Sequence, residues 1–275
     1  MRPHWKIEEL PWDRLAPELV DADLLQTIKT AAIVEANSAD YVTYLHNVFG
    51  DDSAFKAAVD VWGVEEAQHG RALAQWAERI DPDFDFAARL ARFRAGYRLP
   101  LAATESVRGS RAGELVARCV VESGTCSFYA ALRDSTHEPV LRQLCHHIAQ
   151  DEAAHYRLFQ MHLRRYLQGN PLGFVARLRV ALGRVQETED DELAYAYFSA
   201  NHAGTEERLY EREACASAYW RRAMARYQRQ HVRSAAYMIL AAVDLKPSRR
   251  WVKWGVAGLW RLLQWRLQRL QRLPA

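Results

Sequence analysis

Two glutamate–histidine pairs in this 275-residue chain have the spacing of metal ligands on a helix. Glu66 and His69 are three residues apart, and so are Glu152 and His155. Positions i and i+3 share one face of an α-helix, so each pair directs a carboxylate and an imidazole toward one point. One such pair alone is a weak signal, because chance readily produces it. The alternative for each pair is a surface glutamate beside a histidine packed in the core.

Each pair also has a lone glutamate upstream at nearly the same distance. Glu35 precedes Glu66 by 31 residues, and Glu122 precedes Glu152 by 30 residues. Turn-forming residues lie near the middle of both intervals. In an antiparallel hairpin, residues equidistant from the turn are level with each other. Each half of the chain therefore places a lone glutamate opposite a Glu-x-x-His pair.

Two such halves would contribute four carboxylates and two imidazoles to one centre. This is the ligand set of di-iron and di-manganese carboxylate bundles. The predicted ligands are Glu35, Glu66, His69, Glu122, Glu152 and His155. Lone glutamates beside apolar residues are costly to bury unless a cation neutralises them. The alternative is a bundle whose inward polar residues pair among themselves.

The donor atoms favour two iron ions, with manganese as the alternative. Oxygen and nitrogen ligands suit these metals, and no pair of thiolates argues for zinc. Six protein ligands leave coordination positions open on two ions. Open positions are typical of O2 activation rather than of structural metal binding.

Helical periodicity and few glycines and prolines predict an all-α fold. Long helices are expected in two hairpins joined by a connection of about thirty residues, which matches a ferritin-like four-helix bundle with additional C-terminal helices. An irregular segment up to residue 18 precedes them. The predicted long helices cover residues 21–49, 53–79, 114–135 and 140–168, and a further helical stretch with one break covers 190–245.

The charge distribution separates a body from a tail. Residues 246–275 carry eight basic and no acidic residues, whereas the rest of the chain has 29 basic against 34 acidic residues. We therefore predict a ferritin-like helical domain over residues 1–245 and a basic amphipathic helix over 246–275. The acidic body argues against nucleic-acid binding by the whole protein.

The tail has an apolar stripe at helical spacing and several tryptophans. A basic amphipathic helix of this kind suits an anionic membrane surface or an acidic partner, so peripheral membrane contact through residues 248–275 is one hypothesis. The alternative is a helix packed on the bundle with solvated arginines. The stripe consists of Val252, Val256, Leu259, Leu263 and Leu270.

Cysteine usage and the N-terminal sequence bear on location. The four cysteines show no paired spacing, which favours a reduced cytoplasmic setting. The first residues contain no apolar core of a secretory signal, and no apolar run is long enough to span a bilayer. We therefore expect a cytoplasmic protein, with peripheral membrane association as the variant.

Around the predicted ligands the chain resembles the soluble acyl-ACP desaturases, which are di-iron enzymes of the ferritin-like superfamily. Residues 62–70 read WGVEEAQHG and are similar to that family's W-x-x-E-E-x-x-H-G segment. Residues 122–125 resemble its E-x-x-T, and residues 148–155 its I-A-x-D-E-x-x-H. The segment from Val34 to Ala36 is similar to its E-E-A. The resemblance covers about residues 20–165.

The resemblance implies O2-dependent removal of hydrogen from an unactivated C–H bond, with desaturation of a hydrophobic acyl chain as the outcome. It implies acyl carrier protein or another hydrophobic substrate carrier as one partner, a ferredoxin-like electron donor as another, and a homodimer. Hydroxylation or N-oxygenation of a small molecule by the same cofactor is the rival within the enzyme class. A ferritin or rubrerythrin type that handles iron or peroxide is a further alternative.

Three more residues gain roles from the resemblance. The counterpart of Thr125 borders the O2 pocket, although a threonine in a helix also bonds its own backbone. Asp151 precedes a ligand and is expected to orient an imidazole, that of His69. Trp62 lies one turn before Glu66 and resembles the family's electron-relay tryptophan. The alternatives are a helix-end charge for Asp151 and an ordinary core aromatic for Trp62.

Overall fold

The computed structural model describes residues 5–187, 191–202, 210–246 and 250–271. Every regular element within these ranges is a helix, and they contain no strand, which confirms the all-α prediction. The segment before residue 20 forms three short 3-10 helices, Ile7–Glu9, Trp12–Arg14 and Pro17–Leu19.

The α-helices follow the predicted order with clearer boundaries. They are α1 (Ala22–Glu35), α2 (Ser38–Val48), α3 (Ser53–Ile80), α4 (Phe86–Gly96), α5 (Arg111–Ser135), α6 (Pro139–Gly169), α7 (Phe174–Gln186), α8 (Asp191–Asn201), α9 (Arg212–Ala225), α10 (Arg229–Ala242) and α11 (Arg250–Gln271).

Two predicted helices were too long. The stretch over residues 21–49 is interrupted between α1 and α2, where the carbonyl of Ala36 accepts a hydrogen bond from Arg94 at 2.9 Å rather than from the next helical turn. The described part of the stretch over 190–245 contains α8, α9 and α10, which is one break more than predicted. The second break lies at residues 226–228, where no glycine or proline marks it.

The chain forms two compact units that interleave along the sequence. The first comprises residues 1–104, 136–147 and 189–222. Within it, α1 packs against α3, α4 and α8, α2 packs against α3, and α4 packs against α8. Tyr197 of α8 donates a hydrogen bond to Gln26 of α1 at 2.8 Å, which ties these two helices together.

The second unit comprises residues 105–135, 148–188 and 223–275. Within it, α5 packs against α7 and α10, and α10 packs against α11. Arg108, before α5, forms a bidentate ion pair with Glu187 at the end of α7. The predicted boundary between residues 1–245 and the tail at 246–275 stays a prediction, and residues 247–249 and 272–275 of that tail lie outside the described residues.

Acidic side chains cap the N-termini of several helices. Asp21, Asp52 and Asp85 each accept a hydrogen bond from a backbone N–H in the first turn of α1, α3 and α4. Such caps satisfy amide groups that have no partner within the helix. The fully buried Glu138 does this for α6 and also accepts a hydrogen bond from the indole N–H of Trp76 at 2.8 Å. It thereby links the start of α6 to α3.

None of the helices in the described residues is long and apolar enough to cross a membrane.

Candidate metal centre

The first unit contains a buried group of three predicted ligands. Glu35 is the last residue of α1, and Glu66 and His69 lie in the middle of α3. Their side chains are almost completely excluded from solvent. One ligand atom from each of the three lies within 4.8 Å of the others.

The distances in this group suit donors that share an ion. His69 Nδ1 lies 3.8 Å from Glu35 Oε2 and 3.7 Å from Glu66 Oε2. Both distances exceed those of hydrogen bonds. Ligand nitrogens and oxygens bind small divalent ions at about 2.1 Å, so two donors on one ion are at most about 4.2 Å apart. Nδ1 is therefore positioned to bind the same cation as both carboxylates.

A glycine allows the end of α1 to approach α3 at this point. A Cβ atom built on Gly70 would lie 2.6 Å from the backbone nitrogen of Ala36 and 2.9 Å from its Cβ. No side chain fits there without a shift of backbone. Gly70 follows His69 directly, and Ala36 follows Glu35 directly. Gly70 and Ala36 are both small, so their close approach brings the neighbouring ligands His69 and Glu35 together.

A tryptophan from the N-terminal segment stacks on the His69 imidazole. Trp5 is buried, its ring is parallel to that of His69 within 7°, and the ring centroids are 6.3 Å apart. Trp5 also stacks on His147, with 5.3 Å between the two ring centroids. The Gln68 side chain donates a hydrogen bond to the Trp5 carbonyl at 3.1 Å. Trp5 thus limits the orientations open to His69.

The second unit contains the matching group. Glu122 lies in the middle of α5, and Glu152 and His155 lie in α6. All three are almost fully buried, and one ligand atom from each lies within 4.8 Å of the others. His155 Nδ1 is 3.7 Å from Glu122 Oε2 and 4.0 Å from Glu152 Oε1. This geometry repeats that of the first group.

Thr125 contacts both its own helix backbone and a predicted ligand, and its place beside an O2 pocket stays a prediction. Its hydroxyl lies 3.3 Å from the carbonyl oxygens of Val121 and Glu122 in its own helix. It also forms a hydrogen bond with Glu152 Oε2. A hydroxyl has one proton, so it donates to one of these acceptors at a time. Thr125 is therefore placed to orient a predicted ligand.

The chemistry of each group fits a metal ion. A buried carboxylate pair without a cation carries a large desolvation cost, which a divalent ion removes. Both groups offer only oxygen and nitrogen donors, which suit iron or manganese. The two buried groups can therefore hold metal ions. Their convergence on one dinuclear centre stays a prediction.

Two cysteines of α5 lie close to Glu122 in the sequence, and neither belongs to the buried ligand groups. Burial, and after it the negative charges of Glu152 and Glu122, raise the pKa of the Cys126 thiol to about 11. Its Sγ lies 3.5 Å from the carbonyl oxygen of Ala149. Burial likewise raises the pKa of Cys119. In both cases the raised pKa favours the neutral thiol, which agrees with a packing role.

Asp151 and Trp62 are buried as a role beside the centre requires. Asp151 has 3% of its surface exposed and directly precedes Glu152. Trp62 has 4% of its surface exposed and lies one turn before Glu66 on α3. The predicted contact of Asp151 with His69 and the electron-relay role of Trp62 stay predictions.

The sequence reasoning missed Trp5 and the polar residues that precede Glu122 on α5. Trp5 lies in a segment without helical periodicity, so no pattern connects it with His69. Glu114 and Arg118 are both buried and form an ion pair at 3.6 Å. Arg118 lies four residues and Glu114 eight residues before Glu122, so all three share one helix face. This pattern could have been found in the sequence.

The comparisons with known proteins add no family. No protein-family model matches the chain, and no curated protein matches it significantly.

Proposed function

We propose that the two groups form one dinuclear centre in a ferritin-like four-helix bundle with additional C-terminal helices. Its ligands would be Glu35, Glu66, His69, Glu122, Glu152 and His155. Iron is the proposed metal, with manganese as the alternative. The observation that carries the proposal is the repeated geometry, in which an imidazole Nδ1 lies within 4.0 Å of two buried carboxylates in each unit.

The resemblance to soluble acyl-ACP desaturases supports an oxidative function for such a centre. The proposed reaction converts a CH2–CH2 unit of a hydrophobic acyl chain into CH=CH. Two hydrogens leave the substrate, a ferredoxin-like donor provides two electrons, two protons come from solvent, and O2 becomes two molecules of water. A pair of bound iron ions supplies the redox chemistry of O2 reduction. An acyl carrier protein is the proposed substrate carrier, and a homodimer is the proposed assembly.

The residues of the chain would fix the ligands and exclude water. Complete burial of His69 and His155 keeps solvent from the imidazoles and strengthens their interactions with charge. The Thr125 hydroxyl would hold the Glu152 carboxylate in one orientation. Asp151 and Trp62 would act as an orienting carboxylate and an electron relay.

Reconstitution tests the function directly. Iron-loaded protein is incubated with an acyl carrier protein bearing a saturated chain, a reductase, ferredoxin and O2. We expect an unsaturated product, measured by mass spectrometry of the released fatty acid. Thr125→Val should uncouple electron consumption from product, whereas Thr125→Ser should retain coupling because it keeps the hydroxyl.

His69→Ala should abolish product and weaken iron binding, because it removes one of the six proposed ligands. The matched control is His146→Ala, which removes an exposed imidazole from α6 and should leave both unchanged. Re-oxidation of the irons without unsaturated product would contradict desaturation of that substrate. A hydroxylated product in the same assay would favour the hydroxylase alternative.

A further inference from the structure

The C-terminal helix α11 exposes large apolar side chains to solvent. Trp254 has 79% of its surface exposed, Leu262 58% and Trp265 56%. At 100° per residue these three positions fall within an arc of about 80° on one side of the helix. Scattered exposed apolar residues are common on protein surfaces, but two tryptophans and a leucine on one helix face form a patch.

The other side of α11 is already covered. Val252 and Leu267 are buried, with 3% and 8% of their surfaces exposed, and α11 packs against α10. Val256 and Leu263 of the predicted apolar stripe are half-buried on the same side. These four residues therefore face the protein, whereas Leu259 of the stripe is 40% exposed, and Trp254, Leu262 and Trp265 lie on the side of the helix that remains open to solvent.

Cationic side chains flank the exposed rings. Arg261 and Arg269 lie four residues before and after Trp265, and both are exposed. The Arg269 guanidinium lies 5.7 Å from the centroid of the Trp265 ring. Lys253 is exposed beside Trp254. No acidic residue occurs from Lys246 onward, so this part of the sequence offers no carboxylate side chain to pair with these charges.

We propose that this face of α11 binds the surface of an anionic phospholipid membrane. The helix would lie parallel to the surface, with Trp254, Leu262 and Trp265 at the level of the lipid headgroups and Arg261 and Arg269 against the phosphates. Tryptophan prefers this interfacial depth because its ring is apolar and its N–H is polar. Basic residues around an apolar face favour anionic lipids. The basic residues on this face therefore favour an anionic membrane over a neutral one.

Vesicle flotation with the full-length protein tests the proposal. One set of vesicles is phosphatidylcholine with phosphatidylglycerol at 7:3, and the other is phosphatidylcholine alone. We expect binding to the anionic set only, and weaker binding at high salt because salt screens the charges. The double variant Trp254→Ala/Trp265→Ala should lower the affinity for anionic vesicles at least tenfold.

The matched control removes exposed apolar side chains from another helix of the same unit. Val175 and Leu182 of α7 have 67% and 56% of their surfaces exposed, and Val175→Ala/Leu182→Ala should bind vesicles as the unmodified protein does. Circular dichroism checks that both double variants fold. Because the binding face contains none of the predicted metal ligands, metal-free and iron-loaded protein should float equally.

Three results would overturn the proposal. The first is equal flotation of the unmodified protein and the Trp254→Ala/Trp265→Ala variant. The second is absence of vesicle binding together with a smaller oligomer for that variant, which would assign the face to a second copy of the chain. The third is binding to an immobilised acidic carrier protein in place of vesicles. None of these results bears on metal content, so failure here is distinct from failure of the proposed function.

Discussion

The orientation of His69 depends on a residue far from it in the sequence. Its Nδ1 atom faces two carboxylates, while the Trp5 ring stacks parallel to the imidazole. Groups that orient a ligand contribute to metal affinity, and their removal typically weakens binding about 10–100-fold. Trp5 is therefore a positioning residue in the proposed centre.

Replacing Trp5 tests this role. We expect Trp5→Leu to weaken iron binding about tenfold, because the imidazole gains freedom to turn away from the carboxylates. Trp5→Phe keeps an aromatic ring and should recover most of the affinity. Competition titration against a metal chelator measures the effect. The control His146→Ala removes an exposed imidazole from α6 and should leave the affinity near normal. Equal affinity for Trp5→Leu and Trp5→Phe would contradict the role.

The six predicted ligands were accessible from the sequence because helical spacing converts directly into geometry. Each Glu-x-x-His pair lies on one helix, and the structure buries both pairs beside their lone glutamates. Trp5 was not accessible, because its contact with His69 spans 64 residues through a segment of 3-10 turns without a regular period. Contacts of that kind are determined by tertiary packing.

The junction between α1 and α3 explains why a glycine follows His69. The backbone of Ala36 occupies the space in which a Gly70 side chain would lie. The sequence predicted one helix over residues 21–49, since neither Ala36 nor Asn37 is a strong helix breaker. The helix is interrupted where the backbone of Ala36 contacts Gly70 of α3, and a pattern within one helix does not contain that tertiary contact.

Gly70→Ala tests the junction. The added methyl group should push α1 away from α3 and lower the free energy of unfolding by about 1–3 kcal/mol, as overpacking does. It should also weaken iron binding, because Glu35 moves with α1. The control is Gly183→Ala in α7, where a built Cβ meets nothing within 4 Å. That substitution should stabilise the protein by about 0.5–1 kcal/mol in chemical denaturation, since alanine favours a helix over glycine. Equal effects of the two changes would refute the close approach.

A second contact between α1 and α3 is an ion pair whose contribution to stability depends on pH. Lys29 of α1 forms an ion pair with Asp81 at the end of α3, and the hydrogen bond from Lys29 lowers the pKa of the Asp81 carboxyl. A carboxyl with a lowered pKa stabilises the folded state above its unfolded pKa. That stability is lost as the pH falls through the folded value.

Asp81→Asn should therefore cost about 1 kcal/mol of unfolding free energy at pH 7. The difference from the unmodified protein should shrink toward zero as the pH falls below the lowered pKa of the folded state, where the carboxyl is protonated in both states. Urea denaturation across this pH range measures it. The neighbouring exposed Asp83→Asn serves as control and should show no such trend; a difference that persists at low pH would contradict the ion-pair explanation.

The chain as a whole distributes its predicted ligands over two compact units. Residues 1–104 contribute Glu35, Glu66 and His69 to the first unit, whereas Glu122, Glu152 and His155 belong to the second. The sequence predicted the two halves from their matching spacing, and the all-α class from composition. The break between α9 and α10 was not predictable, because residues 226–228 lack the glycine or proline that usually marks one.

X-ray absorption of the iron-loaded full-length protein, together with its iron content, tests most directly whether the two groups form one centre. We expect two irons per chain and an iron–iron vector of about 3.5–4 Å, the spacing of two-metal sites. His69→Ala should remove this vector, whereas the control Glu213→Gln, an exposed glutamate of α9, should retain it. Bound iron without any iron–iron vector, or purified protein that binds no iron or manganese, would contradict a dinuclear centre.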